Sequence, residues 1–291
     1  MFADNGHVRP MFRLPLRNGE VLELGRRTLI VGVLNVTPDS FSDGGRHYER
    51  ERAIERALEM QSEGADIIEI GGESTRPGAV PVAVETEMSR ILPVLSELVP
   101  CLRIPISIDT YKSEVARRAL ENGASIINDV TALQCDPAVA DEAAEWQAPL
   151  VLMYMWAMPG VAESIAPKPN ILAATETHLA WAISEARRRG VSQNRLVVDI
   201  GIGFGKPFQQ DLALIRNLHG FHRLGVPIML GTSRKNFIGR VTGKPTSERI
   251  FSTAASVALG IFKGAHIVRV HDVREMADVV RVTDAVLGDI T

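Results

Sequence analysis

The amino-acid sequence predicts one α/β domain over residues 1–291, a (β/α)8 barrel of the TIM-barrel class that follows a short N-terminal β-hairpin. Eight times along the chain, a short apolar run rich in β-branched residues is followed by a polar or glycine-rich loop and an amphipathic stretch. Apolar strands that alternate with helices are typical of a parallel sheet covered by helices. Eight units in a chain of this length favour a closed barrel over an open doubly wound sheet, which is the alternative.

The hairpin is predicted at about residues 11–25, where two short alternating segments flank Asn18-Gly19. Both central residues of a type I′ turn need a positive φ, and Asn-Gly is the dipeptide best suited to it. We therefore predict a type I′ hairpin that leads directly into the main fold.

The barrel strands are predicted from the apolar runs, which are residues 29–36, 66–72, 104–109, 125–129, 149–155, 196–200, 226–230 and 266–270. Helix-like stretches between them include 49–65, 113–124 and 171–190. The apolar stretch from Ser252 to Phe262 is predicted as a core-facing helix rather than an interface.

Composition argues against several classes of partner. Lys and Arg number 32 against 35 for Asp and Glu, whereas nucleic-acid-binding proteins usually carry a clustered basic excess. The longest uncharged runs, near 146–162 and 250–262, are shorter than the roughly 18–20 apolar residues that span a bilayer. Cys101 and Cys135 have no CxxC partner, and the N-terminus has no secretory apolar stretch. We expect a cytoplasmic protein with no nucleic-acid or membrane partner.

Polar side chains gather where the predicted strands end, which is the active end of such barrels. They are Asn35, Glu73–Arg76, Asp109, Asn128, Asp199, Ser233–Lys235, Arg269 and His271. One strand that ends in a carboxylate or amide is ordinary, but this regular series predicts a shared polar mouth.

Three of these side chains suit a planar heterocycle with several N–H donors and a carbonyl group. Asp109, Asn128 and Asp199 end the third, fourth and sixth strands, and Lys235 can add a donor. Each polar group is costly to bury unpaired, so their convergence requires a polar ligand or mutual hydrogen bonds. A purely structural polar network is the alternative.

Arg269 and His271 are predicted to bind an anion. They are two residues apart and would share one face of the last strand, with donors suited to a phosphate. The loop 231–235 follows the seventh strand, and the loops after strands seven and eight are the usual phosphate-binding region of these barrels. A structural ion pair between Arg269 and a nearby aspartate is the alternative.

Seven segments carry a family resemblance along nearly the whole barrel. They read NVTPDSFSDGG (35–45), GADIIEIGGESTRPGA (64–79), SIDTYK (107–112), IINDV (126–130), GIGFGK (201–206), GTSRKNFIG (231–239) and VRVHDV (268–273). In this order they resemble the signature segments of the dihydropteroate synthases, a pterin-binding family. The resemblance implies a homodimeric transferase of folate biosynthesis that uses Mg²⁺ and is a target of sulfonamides. Its reaction would join 6-hydroxymethyl-7,8-dihydropterin diphosphate to p-aminobenzoate, through a pterin cation formed by loss of pyrophosphate.

The resemblance also implies residue roles. Pterin-binding residues would be Asp109, Asn128, Met153, Asp199 and Lys235. Residues around p-aminobenzoate would be Phe41, Thr75, Arg76, Pro77, Phe204, Lys235 and Asn236. Diphosphate would be bound by Asn35, Thr75, Arg269 and His271, with Asn35 also binding Mg²⁺. Catalytic residues would be Asp43 and Asp109, which place negative potential near the cation, together with Lys235 and Arg269.

Some positions depart from the family pattern. Tyr154 and Trp156 stand where His and Gln or Gly are more usual, and Ile200 replaces a common Pro. Asn236 stands where a Ser commonly helps to hold the p-aminobenzoate carboxylate. This substitution predicts a modified p-aminobenzoate pocket and an altered response to sulfonamides.

Two other functions stay open at this point. A methyltetrahydrofolate:corrinoid-type methyltransferase would share the pterin site, but it has no diphosphate to expel, and Arg269 with His271 argues against it. The departures favour a catalytically silent pterin-binding paralogue, whereas the polar residues retained in both long loops argue against that reading.

Overall fold

A computed structural model describes residues 9–37, 46–74, 79–156 and 168–288, and for residues 46–49 it describes the backbone only. Two strands form the hairpin, β1 (Phe12–Pro15) and β2 (Val21–Leu24). The barrel strands are β3 (Leu29–Asn35), β4 (Ile67–Gly71), β5 (Ile106–Asp109), β6 (Ile126–Asp129), β7 (Leu150–Met153), β8 (Leu196–Asp199), β9 (Ile228–Leu230) and β10 (Ile267–Val270). The helices are α1 (Arg46–Glu63), α2 (Val84–Leu98), α3 (Ser113–Glu121), α4 (Val139–Glu145), α5 (Ile171–Arg188), α6 (Phe208–Arg216), α7 (Asn236–Thr242), α8 (Ile250–Phe262) and α9 (Val273–Leu287).

Within the described ranges, the eight strands from β3 to β10 form a closed parallel barrel in sequence order, so the predicted fold class is confirmed. Closure is made by β10, which pairs with β3 through Arg269 opposite Val31 and with β9 through Val268 opposite Leu230. Because all eight strands run in the same direction, their carboxyl ends meet at one rim. The side chains that follow these strands therefore share one end of the barrel.

The hairpin is confirmed, but the predicted type I′ turn is wrong. Gly19 has a φ of +90°, whereas Asn18 is not among the residues of positive φ. The N–H of Gly19 donates to the carbonyl of Leu16 at 3.1 Å, and the Asn18 side chain accepts from the N–H of Glu20 at 3.0 Å. A longer loop with one left-handed glycine results, in which Asn18 uses its side chain instead of a left-handed backbone.

The lower, N-terminal end of the barrel is apolar. Leu14, Leu16 and Leu24 of the hairpin pack with residues at or near the starts of the strands, namely Leu29, Val31, Ile67, Ile126, Val151, Val197, Met229 and Ile267. The hairpin therefore covers this end of the barrel and excludes water from it. In the part of the chain that the structure describes, no helix has both the length and the apolar character needed to cross a membrane.

A buried polar group ties the N-terminal segment to the last helix. Asp284 of α9 pairs with Arg9 at 2.9 Å and accepts hydrogen bonds from both the N–H and the hydroxyl of Thr28 at 2.8 Å. Nearby, His266 accepts from the N–H of Ile228 at 3.0 Å, and its other ring nitrogen lies 3.1 Å from the carbonyl of Pro10.

Candidate active site

The upper rim holds a buried network centred on Glu69 of β4. Glu69 accepts from Asn128 Nδ2 at 2.8 Å and from Arg269 Nε. Arg269 Nη2 also donates to Asp109 Oδ2 at 2.8 Å. The register of the strands brings these side chains together, because Asp109 of β5 pairs directly with Asn128 of β6 and with Gly71 of β4. Three adjacent strands and the last strand of the barrel thus contribute to one cluster.

Two acceptor atoms of this network face no protein donor. Asp109 Oδ1 and Asn128 Oδ1 are buried and have no hydrogen-bond partner among the described residues. A buried acceptor left unpaired costs about 1–3 kcal/mol, so the site is suited to a ligand that brings N–H or O–H donors. Burial and the negative charge of Glu69 raise the pKa of Asp109, whereas the guanidinium of Arg269, 2.8 Å away, favours the ionised carboxylate.

Asp199, at the end of β8, lies on the far side of the same rim. Its Oδ1 accepts the N–H of Gly201 at 2.7 Å. A Cβ added to Gly231 would lie 3.7 Å from Arg269 Cβ and 3.9 Å from Asp199 Oδ2, so Asp199 and Arg269 flank one glycine. Burial raises the pKa of Asp199, whereas the Gly201 hydrogen bond and the charge of Lys235 work in the opposite direction.

Lys235 lies over an apolar wall of the site. Its Nζ is 3.8 Å from the ring centroid of Phe204, a cation–π contact. Phe204 and Met153 belong to one buried apolar cluster with Tyr111, Val130 and Met155. Burial and the positive charge of Arg269 lower the pKa of Lys235 to about 7. The arrangement provides a flat apolar surface beside a titratable amine.

His271 lies one residue beyond β10, the strand that carries Arg269, and the charge of Arg269 acts on its ring. The backbone N–H of His271 donates to Ser233 Oγ at 3.2 Å, and His271 Nδ1 lies 2.9 Å from the same oxygen. The Ser233 hydroxyl can donate its hydrogen to Nδ1, and in that tautomer the imidazole proton lies on Nε2. Burial and the positive charge of Arg269 lower the pKa of His271 to about 3, so the ring is a neutral donor.

Of the other predicted site residues, Asn35 and Asn236 lie at the margin of the site. A Cβ added to Gly71 would lie 3.7 Å from both Asn35 Oδ1 and Asp109 Oδ2, so Asn35 borders the network. Asn236 is exposed as the first residue of α7, directly after Lys235. Five predicted site residues lie outside the described residues: Phe41, Asp43, Thr75, Arg76 and Pro77.

Sequence reasoning missed two residues of the site and one contact. Glu69 is the only charged residue of β4, and an acid inside an apolar strand was a signal that could have identified it. Ser233 was noted as polar, but its contact with His271 needs the tertiary structure. Lys206 donates to the carbonyl of Gly201, and burial lowers the pKa of Lys206 to about 8. Lys206 ends the segment GIGFGK, but nothing in that segment indicated that this lysine would be buried.

Glu73 belongs to a separate buried cluster instead of the central network. It accepts from the hydroxyl of Tyr111 at 2.7 Å and from Lys112, and Lys112 also donates to Glu87 at 2.6 Å and to the carbonyl of Val82 at 2.8 Å. This cluster joins the end of β4 to the segment that leads into α2.

The unusual aromatic residues Tyr154 and Trp156 are core residues. Both are buried, with exposures of 6% and 8%, and both pack in the apolar layer between barrel and helices. Tyr154 is 5.3 Å from His178 and 5.1 Å from Lys206, measured to its ring centroid. These substitutions therefore alter the packing behind the site.

Proteins of similar sequence are pterin-binding enzymes. A family model described as pterin binding enzyme matches residues 31–271. The chain is 45% identical to the dihydropteroate synthase of Bacillus subtilis (strain 168) over 267 residues, which cover 92% of this chain and 91% of that protein.

Two solved structures are also similar. The dihydropteroate synthase from Clostridium difficile, in the presence of pteroic acid, has a TM-score of 0.86 and 42% identity, covering 91% of this chain and 98% of that one. The enzyme from Xanthomonas albilineans, in complex with 7,8-dihydropteroate, has a TM-score of 0.84 and 38% identity, covering 94% of this chain and 98% of that one.

Proposed function

The chain belongs to the dihydropteroate synthase family of pterin-binding enzymes, which are transferases, and we propose that it condenses 6-hydroxymethyl-7,8-dihydropterin diphosphate with p-aminobenzoate. The products are 7,8-dihydropteroate and pyrophosphate. The relatives described above are synthases, which favours this activity over the corrinoid methyltransferase and the silent paralogue.

One observation supports the proposal most strongly: two unpaired buried acceptors lie beside the partly buried guanidinium of Arg269. A dihydropterin has N–H donors along its ring edges, and these would pair with Asp109 Oδ1 and Asn128 Oδ1. Asp199 Oδ2 would accept further ring N–H groups, and Lys235 would donate to the ring carbonyl or a ring nitrogen. Each such bond recovers part of the cost of burying these groups.

The diphosphate would lie between Arg269 and His271. Arg269 carries a positive charge held by Glu69 and Asp109, and His271 offers the N–H of Nε2. In the first step the bond between the pterin methylene carbon and the diphosphate oxygen breaks, and its electron pair leaves with pyrophosphate. Donors aimed at the developing negative charge lower the barrier of such a step.

The remaining dihydropterin cation would be stabilised by the carboxylate of Asp109. The amine of p-aminobenzoate then attacks the methylene carbon, forms the C–N bond and loses a proton. Phe204 and Lys235 would line the p-aminobenzoate pocket with Asn236 at its margin. A weak aromatic amine needs no strong base, so the site mainly orients the reactants and excludes water.

We propose that Mg²⁺ would be held at this site together with the diphosphate. Among the described residues no group of three or more His, Cys, Asp or Glu side chains is arranged to hold a metal. Mg²⁺ commonly takes one or two protein oxygens and completes its shell with phosphate oxygens and water. Asn35 Oδ1, which borders Asp109 across Gly71, would be the protein ligand. Bound there, Mg²⁺ would neutralise charge on the leaving group.

We also propose that the enzyme forms a homodimer through α8 and α9, which pack against each other. The buried face of α8 includes Val257 and Ile261, but Phe251 is 83% exposed and Phe262 is 54% exposed. On α9, Val282 and Val286 are 65% and 81% exposed. The predicted core-facing helix is confirmed for the buried face of α8, while its other face is exposed. Exposed large apolar side chains on two adjacent helices are typical of a protein interface.

Light scattering coupled to gel filtration tests the dimer. Phe251→Asp should yield a folded monomer, whereas Trp181→Glu, at an exposed position on α5, should leave the mass unchanged. Equal masses for wild type and Phe251→Asp would exclude this interface.

The activity itself is tested by pyrophosphate release from the dihydropterin diphosphate, with and without p-aminobenzoate and Mg²⁺. Release that depends on Mg²⁺ and yields dihydropteroate when p-aminobenzoate is present is the expected result. An enzyme that binds pterin but releases no pyrophosphate under any condition would instead be the silent paralogue.

A further inference from the structure

Glu69 is buried below the rim and contacts two residues of the proposed substrate site, Asn128 and Arg269. It is 1% exposed and lies inside the barrel, two residues after Ile67 of the lower apolar layer and two before Gly71. Side chains two apart in a strand share a face, so Glu69 points inward below the rim. Its two oxygens are divided between two donors, Asn128 Nδ2 at 2.8 Å and Arg269 Nε.

We infer that Glu69 is a positioning residue that sets the direction in which Asn128 and Arg269 present their polar atoms to substrate. This inference rests on the proposed function, in which Asn128 binds the pterin and Arg269 binds the diphosphate. The side-chain amide of Asn128 has one donor end and one acceptor end. Because Glu69 takes the donor end, Asn128 Oδ1 is left as an acceptor for a ring N–H. The same carboxylate, together with Asp109, fixes the plane of the Arg269 guanidinium.

A simpler role for Glu69 would be to neutralise the buried positive charge of Arg269. The two roles predict opposite results for an anionic ligand. If Glu69 only supplied negative charge, Glu69→Gln would strengthen pyrophosphate binding, because it removes a negative charge beside the anion site. If Glu69 positions Arg269, the same variant weakens pyrophosphate binding, since a glutamine has one acceptor for two donors and the guanidinium loses its fixed plane.

A donor–acceptor exchange tests the contact with Asn128. Asn128→Asp alone places a carboxylate 2.8 Å from Glu69, and the two would repel. In the double variant Glu69→Gln/Asn128→Asp, the new amide at position 69 can donate to position 128 and still accept from Arg269. The total charge of the cluster is then that of the wild type. An acceptor at position 128 again faces the pterin.

The experiment measures the affinities of inorganic pyrophosphate and of 6-hydroxymethylpterin by titration calorimetry. Glu69→Gln should weaken both by about tenfold or more, and Asn128→Asp should weaken the pterin by a similar factor. The double variant should bind the pterin within about threefold of wild type, far better than independent losses would allow. Asp284→Asn serves as the matched control, because it also turns a buried carboxylate into an amide but lies at the lower end. It should leave both affinities unchanged.

The other outcomes also decide whether Glu69 positions Asn128 and Arg269. Pyrophosphate binding that is unchanged or tighter in Glu69→Gln, or a double variant no better than the product of the single losses, overturns the inference. If Glu69→Gln does not fold, the comparison of Asn128→Asp with the double variant carries the test, and recovery of pterin affinity supports positioning. A wild-type protein that binds neither probe would contradict the proposed function and not the role of Glu69.

Discussion

The two ends of the barrel bury charged groups in opposite ways. At the lower end, both oxygens of Asp284 are paired, with Arg9 and with the backbone and hydroxyl of Thr28. At the upper end, Asp109 and Asn128 each keep one buried oxygen with no partner among the described residues. A fully paired buried group supports the fold, whereas an unpaired one lowers stability and leaves an atom free to bind a ligand. The lower end of the barrel therefore stabilises the fold, and the upper end holds the atoms that can bind a ligand.

Loss of Arg269 should have the largest effect, because this partly buried cation pairs with two carboxylates and also faces the proposed diphosphate site. Arg269→Met leaves Glu69 and Asp109 buried without their cation, which should destabilise the fold by roughly 3–5 kcal/mol. Removal of a leaving-group donor should also reduce kcat by about 10²–10³. Urea unfolding and pyrophosphate release measure the two effects. Wild-type turnover in a folded Arg269→Met protein would remove this residue from the reaction.

Asp284→Asn should separate stability from activity. The amide cannot pair with Arg9 as a carboxylate does, and removal of one partner of a buried pair costs on the order of 3 kcal/mol. Because Asp284 lies at the lower end, kcat/KM for both substrates should stay at the wild-type value. The measurements are a urea unfolding curve and steady-state kinetics at a temperature where the variant is folded. A clear fall in kcat/KM would show that the two ends are coupled.

Asp199→Asn should weaken pterin binding, with little effect on the fold. A carboxylate that accepts two ring N–H bonds becomes an amide that accepts at one oxygen, and a charge-assisted bond contributes on the order of 1.5–3 kcal/mol. The expected loss of pterin affinity is therefore at least about tenfold. Titration calorimetry with a pterin provides the measurement. Affinity that matches the wild type would exclude Asp199 from the pterin site.

His266, at the lower end of the barrel, should make the free energy of unfolding depend on pH. Burial and the neighbouring His222 lower the pKa of His266 from 6.5 to about 3. Below pH 6.5 the unfolded chain takes up a proton that folded His266 does not, so its contribution to stability is present above pH 6.5 and is lost as the pH falls towards 3. The slope is about 1.4 kcal/mol per pH unit for one such group. His266→Asn should flatten that part of the curve; an unchanged slope in urea unfolding from pH 7 to 4 would contradict the assignment.

Asn236→Ser should have the smallest effect and tests the margin of the site. Asn236 is exposed directly after Lys235, so its replacement should not change stability. If Asn236 crowds the p-aminobenzoate carboxylate, the serine variant should lower the KM for p-aminobenzoate by a few-fold and change sulfonamide inhibition. The KM for the pterin diphosphate is the internal control. Unchanged values for p-aminobenzoate and sulfonamide would remove Asn236 from the pocket.

The sequence by itself determined the barrel, its hairpin and the rim on which the polar side chains lie. These features follow from local periodicity, since apolar strands, amphipathic helices and strand-end polar residues repeat along the chain. Asp109, Asn128 and Asp199 could be placed near one another from strand order alone. The segments that carry the family resemblance extend from Asn35 to Val273. It is this resemblance, and not strand order, that implied which substrates these side chains would bind.

Only the tertiary structure decided which atoms of that rim are paired and which are left for a ligand. Arg269 and Glu69 are 200 positions apart, and they meet because β10 closes the barrel beside β3, which is the neighbour of β4. The same holds for Ser233 beneath His271, for the burial of Tyr154 and for the apolar outer face of α8. Hydrogen-bond partners depend on three-dimensional register and on competition between nearby donors, and neither is encoded in the spacing of residues along one strand or helix.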